Sequence, residues 1–221
     1  MSDLTVIREH VCGLNISLKS YGLVAWTAGN VSERLPDGIS FIIKPSGVMY
    51  EDLKPADLVV CDLNGEVLAG ELSPSSDTKT HAYIYRHMPE VHGVVHTHSN
   101  YASAWAAAKR AIPCALTAMG DEFGGDIPLG PFALIGGEEI GQGVVATLQS
   151  SKSPAVLMAN HGVFTIGKSA VAAVKAAVMC EDVAKTMFIA AQLGEINRLE
   201  ESDIAKLYDR YQNIYGQTKG S

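Results

Sequence analysis

Apolar residues near the start of the chain recur at steps of three and four: Leu4, Ile7, Val11, Leu14 and Leu18. That spacing puts them on one face of an α-helix, and Gly22 is placed to stop it. Shorter apolar stretches at 24–32 and 39–44 predict strands, the second running into Pro45-Ser46-Gly47. Segments 58–63 and 66–69 flank Asn64-Gly65, the pair that a tight type I′ hairpin prefers. Pro74-Ser75-Ser76-Asp77 reads as a loop leading into a helix that runs to Met88 and is stopped by Pro89.

A strand containing Val94, Val95, His96 and His98 comes next, then a helix capped by Ser99 and reaching about 110. The glycine-rich stretch 120–131 reads as irregular. A helix is expected over 138–149, and apolar strands over 155–159 and 163–166, joined by Asn160-His161-Gly162. Ser169 is placed to cap a long helix ending at Gly194, and a last helix runs from Asp203 into Ile214-Tyr215-Gly216-Gln217. Strands are separated mostly by hairpin signals or by one helix. The fold class expected is therefore α/β: one layered domain spanning 1–221, with a largely antiparallel central sheet flanked by helices. The alternating βαβ order of a doubly wound sheet is missing.

Composition narrows the function. A formal charge of −7 over 221 residues disfavours nonspecific binding to nucleic acid or anionic membrane. Any anion must be held by a local site. Cys12, Cys61, Cys114 and Cys180 are widely spaced and the chain opens without a charged-then-apolar leader. Reduced, buried thiols in a cytoplasm are the expectation. No apolar run reaches the length of a membrane span.

The candidate chemistry centres on His96-Thr97-His98. On a strand both imidazoles leave the same face with backbones roughly 6.5–7 Å apart, close enough to share one ion. Alone the pattern also fits two polar residues on a solvent face. His161 ends an apolar strand at a glycine turn and is a third candidate ligand, and three protein ligands leave a position open for water or substrate. Asp77 is a possible carboxylate addition or a helix cap. His81 shares its side of the helix and could support the site or simply pack. Two loops could hold phosphate. Lys44-Pro45-Ser46-Gly47 offers a cation, a hydroxyl and a permissive backbone, while Ser75-Ser76 offers hydroxyls at a helix start. Gly29-Asn30 could add a donor.

Five runs occur in a telling order: Gly29-Asn30-Val31-Ser32, Ile43-Lys44-Pro45-Ser46-Gly47, Pro74-Ser75-Ser76-Asp77-Thr78, Val95-His96-Thr97-His98-Ser99 and Asn160-His161-Gly162. In that order, with the Tyr215-Gly216-Gln217 tail, the chain resembles the class II aldolase/adducin-head superfamily, and within it the L-ribulose-5-phosphate 4-epimerases. The resemblance implies zinc held by His96, His98 and His161 with Asp77 at the nearby carboxylate position. It implies phosphate and substrate contacts from Asn30, Lys44, Ser46, Gly47, Ser75, Ser76 and Thr117, and an acid/base pair of Asp121 and Tyr215. Residues alone do not single out that pair. The expected activity is C4 epimerisation of L-ribulose 5-phosphate to D-xylulose 5-phosphate by retro-aldol cleavage and re-addition, in pentose (arabinose) metabolism. A homotetramer with sites between subunits is also implied. The alternatives are a sugar-phosphate aldolase of the L-fuculose-phosphate type and a non-catalytic adducin-head-like interaction module. The chain departs from the epimerases in carrying Ala28 where they usually have Trp, and Leu207 where a basic tail residue is expected.

Overall fold

The structure is a computed structural model and describes residues 4–214. Its centre is a sheet in the order β4-β3-β2-β1-β5-β8-β7-β6. The first four strands, β1 (Asn30–Arg34), β2 (Ser40–Ile43), β3 (Val59–Asp62) and β4 (Val67–Ala69), form an antiparallel meander. Strand β5 (Gly93–Thr97) lies between β1 and β8 (Val163–Gly167), antiparallel to both. Beyond β8 lie β7 (Ala155–Met158), also antiparallel, and the two-residue β6 (Leu129–Gly130), the one parallel neighbour.

Alternation along the strands sends residues into two apolar layers. Phe41, Val59, Val94, Val156 and Phe164 pack with α2 (Thr78–His87) and α5 (Glu139–Leu148) on one face. On the other, Val31, Val95, Leu157 and Val163 meet α1 (Leu4–Ser20), α3 (Asn100–Ala107) and α6 (Ala170–Leu193). The expected layered sheet is present. The four cysteines are free and buried.

Local sequence explains several element ends. Gly22, at φ 69°, completes a Schellman stop to α1: its amide donates to Lys19 O and the Leu23 amide to Leu18 O. Asn15 on α1 is fully buried, with its amide nitrogen donating to Val31 O and its oxygen accepting from Val31 N, which fixes the start of β1. The Ser169 hydroxyl accepts from Ala172 N, as a cap of α6 should.

Other expectations need correction. The strand expected over 24–32 begins only at Asn30, because Trp26 (φ 57°) and Gly29 (φ 81°) turn the chain out of the extended region. The 58–69 hairpin is not type I′, which needs positive φ at both central residues. Asn64 is not in that region; Gly65 is, at φ 83°, and its amide donates to Asp62 O. The Asp62 carboxylate accepts from the Asn64 and Glu66 amides and holds this wider turn. Ser99 does not cap α3 with its side chain. Glu181, on α6, accepts from the amides of Tyr101 and Ala102 instead. Helix α3 also stops earlier than expected, at Ala107, with Lys109 left-handed behind it. The stretch 120–131, read as irregular, begins inside a short helix, α4 (Thr117–Phe123), which left-handed Gly124 ends. The last helix, α7 (Glu201–Asn213), packs on α4. Among the described residues no helix is long and apolar enough to cross a membrane.

Candidate metal centre

His96 projects from β5 toward α2 and is 1% exposed, so the solvent-face reading of the His-x-His pair fails for it. Its ring is fixed from two sides. Nδ1 lies 2.9 Å from Val163 O and donates to it, leaving Nε2 with a free lone pair. Phe164, its register partner on β8, stacks on the imidazole with centroids 4.2 Å apart at 13°. His98 lies just past the end of β5, and its Nε2 is 2.9 Å from His96 Nε2.

His161 arrives from the β7–β8 turn, where Asn160 takes φ 57° and Met158 N donates to Gly162 O. Gly162 permits the close approach of this hairpin: a Cβ there would stand 2.6 Å from Thr97 O and 2.7 Å from the His98 ring. The three histidines each offer a nitrogen within 4.8 Å of the others. Neither ring nitrogen of His161 has a protein partner, though both are buried. Three converging imidazoles of this kind fit one divalent transition metal.

Electrostatics keep these rings in the ligating form. Burial pushes His96 down to about 4, partly opposed by the Asp77 carboxylate, and burial also lowers His98 and His161. All three are therefore neutral near pH 7. Asp77 opens α2 but makes no side-chain cap. It turns toward the histidines, where Asn30 Nδ2 donates to its Oδ2 at 2.8 Å. Burial alone would raise the Asp77 carboxyl; His96, His81 and the Asn30 bond hold it below the ordinary range. Its oxygens lie outside the close histidine group, although it lines the same cavity. His81 lies beneath, fully buried, its Nδ1 2.7 Å from the Ser32 hydroxyl.

That cavity, about 180 Å³, joins the histidines and Asp77 to Lys44, Ser46, Gly47, Ser75 and Ser76. Pro45 and Pro74 bridge the two serine loops, and Ser75 N donates to Lys44 O. Lys44 is 1% exposed, and burial lowers its ammonium to about 8. Its Nζ donates to Thr27 O and Pro45 O at 3.3 Å and lies over the Tyr50 ring. Asn30 donates to Ser75 Oγ at 2.9 Å as well as to Asp77, so it organises both.

Residues 9–188 match the model of the class II aldolase and adducin N-terminal domain. The chain belongs to this family. As a class II aldolase-family protein it is similar in structure to an L-fuculose 1-phosphate aldolase at 25% identity, covering 96% of this chain and 97% of the other with a TM-score of 0.88. It is also similar to YgbL of Klebsiella pneumoniae, described as a candidate aldolase/epimerase/decarboxylase: 28% identity, 94% and 100% coverage, TM-score 0.83. The YgbL protein of Escherichia coli gives 29% identity, 92% and 98% coverage, and a TM-score of 0.80.

The class II aldolase fold brings most of the expected residues together, but not all. Thr117 and Asp121 lie on α4 and do not line the cavity of their own chain. Asp121 instead faces Arg210 of α7, with Nη2 3.2 Å from both carboxylate oxygens. Tyr215 lies outside the described residues. Sequence reading missed three contributors: Phe164, the Val163 carbonyl and Tyr50. The Tyr50 hydroxyl donates to Ala28 O and Gly29 O and so pins the cavity wall. Phe164 carries a signal in retrospect, since it stands opposite His96 once the two strands are paired. Tyr50 carries none.

Proposed function

We propose that this chain catalyses divalent-metal-dependent retro-aldol cleavage of a phosphorylated ketose. The observation that carries the reading is one cavity holding both the three converging histidines and the paired Lys44 and Ser75-Ser76 loops. When bound, the metal supplies Lewis-acid stabilisation of the enediolate charge that cleavage leaves. His96, His98 and His161 would hold it, with Asp77 beside them, and zinc suits the donor set. Lys44 and the hydroxyls of Ser46, Ser75 and Ser76 would anchor the phosphate. The hydroxyl proton on the carbon to be detached must leave as the C–C bond breaks, and a proton must return when the aldehyde is trapped or released. Asp121 and Tyr215 suit this exchange. Asp121 lies away from its own chain's cavity, so this assignment fits a site completed by a neighbouring copy, as in a homotetramer.

Where the phosphate sits decides the outcome. On the aldehyde fragment it tethers the aldehyde, which can turn and re-add with its carbon inverted; this is the epimerase outcome for L-ribulose 5-phosphate. On the ketone fragment, as in L-fuculose 1-phosphate, the aldehyde is untethered and leaves. Similarity to the L-fuculose 1-phosphate aldolase supports the lyase outcome. Asp77, where related aldolases usually carry Glu, supports epimerisation.

The deciding experiment incubates the metal-loaded protein with L-ribulose 5-phosphate and with L-fuculose 1-phosphate, each with and without chelator, and identifies products. D-xylulose 5-phosphate marks the epimerase, and dihydroxyacetone phosphate marks the lyase. No turnover of either, together with no stoichiometric divalent metal in the purified protein, would favour the interaction module.

A further inference from the structure

His81 is fully buried on α2 and has no part in the chemistry described above. Its neighbours decide which ring nitrogen carries the proton. Burial keeps the ring neutral near pH 7, with one proton to place. Nδ1 lies 2.7 Å from the Ser32 hydroxyl, which lies 2.7 Å from the Tyr85 hydroxyl. Tyr85 is also buried, and its oxygen faces the Val94 amide, a group that can only donate. The phenol proton therefore goes to Ser32, its one acceptor among the described residues. Ser32 accepts there, so its own proton goes to His81 Nδ1. An accepting Nδ1 leaves the ring proton on Nε2. His96 is arranged the opposite way: its Nδ1 donates to Val163 O and its Nε2 keeps the lone pair.

The His81 Nε2–H is buried and meets no protein acceptor. An unmatched buried donor is costly, and a folded protein seldom keeps one without a use. Asp77 stands one helical turn earlier, and its carboxylate charge acts on the His81 ring. Asn30 and Ser75 both donate to Asp77 Oδ2, at 2.8 and 3.4 Å, and leave Oδ1 without a donor among the described residues. We infer that Tyr85, Ser32 and His81 form an ordered hydrogen-bond chain that keeps the His81 proton on Nε2 as a donor to the Asp77 carboxylate, directly or through one water. His81 is then a positioning residue that acts through Asp77. A carboxylate held by donors at both oxygens stays ionised and fixed in angle beside the metal ligands. This positioning role rests on the function proposed above; the placement of the proton does not.

The test reads the tautomer first, by nitrogen–proton NMR correlations of the imidazoles in the full-length, metal-free protein. His81 should be protonated on Nε2, and a proton on Nδ1 would overturn the chain. Tyr85→Phe should give a mixture of both forms, because Ser32 is no longer obliged to donate to His81. Asp77→Asn should move the His81 Nε2–H proton resonance upfield, and an unmoved resonance would overturn the pairing with the carboxylate. Steady-state kinetics of the metal-loaded protein follow. His81→Phe should lower kcat about 10- to 100-fold with unchanged metal stoichiometry, and His81→Gln, which keeps an N–H donor, should recover part of the loss. An unchanged kcat in His81→Phe, or equal losses in the Phe and Gln variants, would overturn the positioning role. If the wild-type protein turns over neither sugar phosphate, the proposed function fails, and the chain is judged by the NMR results alone.

Discussion

The rings of His96 and Phe164 lie face to face across the β5–β8 ladder, 4.2 Å apart at 13°. The stack blocks rotation of the imidazole, while Val163 O fixes which nitrogen carries the proton. Phe164 would thus act on a bound metal through His96 without touching it. Phe164→Leu should weaken metal affinity about 10-fold while leaving all three ligands in place. Competition with a chromophoric chelator measures this, and an unchanged dissociation constant would show that the Val163 bond suffices.

Gly162 makes a stricter demand. A methyl group there would press on Thr97 O and the His98 ring and must push the β7–β8 turn away. Gly162→Ala is expected to cost about 1–3 kcal/mol in stability and to carry His161 out of reach. Thermal unfolding with and without metal should show the metal-dependent rise in Tm shrinking more than the metal-free Tm itself.

Lys44 supplies a pH signature. Its ammonium titrates at about 8 in the free protein, below the ordinary lysine value, because it is buried. The cation that would hold phosphate is therefore complete below pH 8 and is lost as the pH rises through it. For a phosphorylated substrate, kcat/KM should fall above about pH 8. A bound phosphate favours the charged form, so the matching limb in kcat should lie higher. Lys44→Met should lower kcat/KM by about 10- to 100-fold and remove this limb.

Stability of the metal-free protein should fall in acid. His96 titrates at about 4 and His81 at about 3, both depressed first of all by burial, against about 6.5 in an unfolded chain. Between those limits the unfolded state binds more protons, so stability is full above about pH 6.5 and declines as the pH drops toward 4. Denaturant titrations of the metal-free protein at a series of pH values read this slope. His81→Phe should flatten it, and an unchanged slope would point to other groups.

The features legible in the sequence are those fixed by near neighbours. The apolar steps of α1, the Ser169 cap of α6 and the alternation around His96 are local patterns, and the structure keeps them. What escaped depends on distant partners. The cap of α3 comes from Glu181, some 80 residues away. Helix α4 was obscured by Gly120 and Gly124, which read as loop but serve α7: one leaves room for Leu207 and the other both ends the helix and admits Tyr208. For the site, His96, His98 and His161 could be singled out by residue type and turn position. Asp121 could not, because its surroundings are set by Arg210 on a helix that sequence spacing does not relate to it.

The bridge between Pro45 and Pro74, with Ser75 N on Lys44 O, ties two loops that are far apart in the chain. They cannot be re-tuned one at a time. A residue inserted into either loop would shift the lysine and the serines together, while the histidines, anchored on β5 and the β7–β8 turn, would stay where they are. Changes of substrate in proteins of this architecture should then arrive as paired changes in both loops, with the chemistry of the strands left intact.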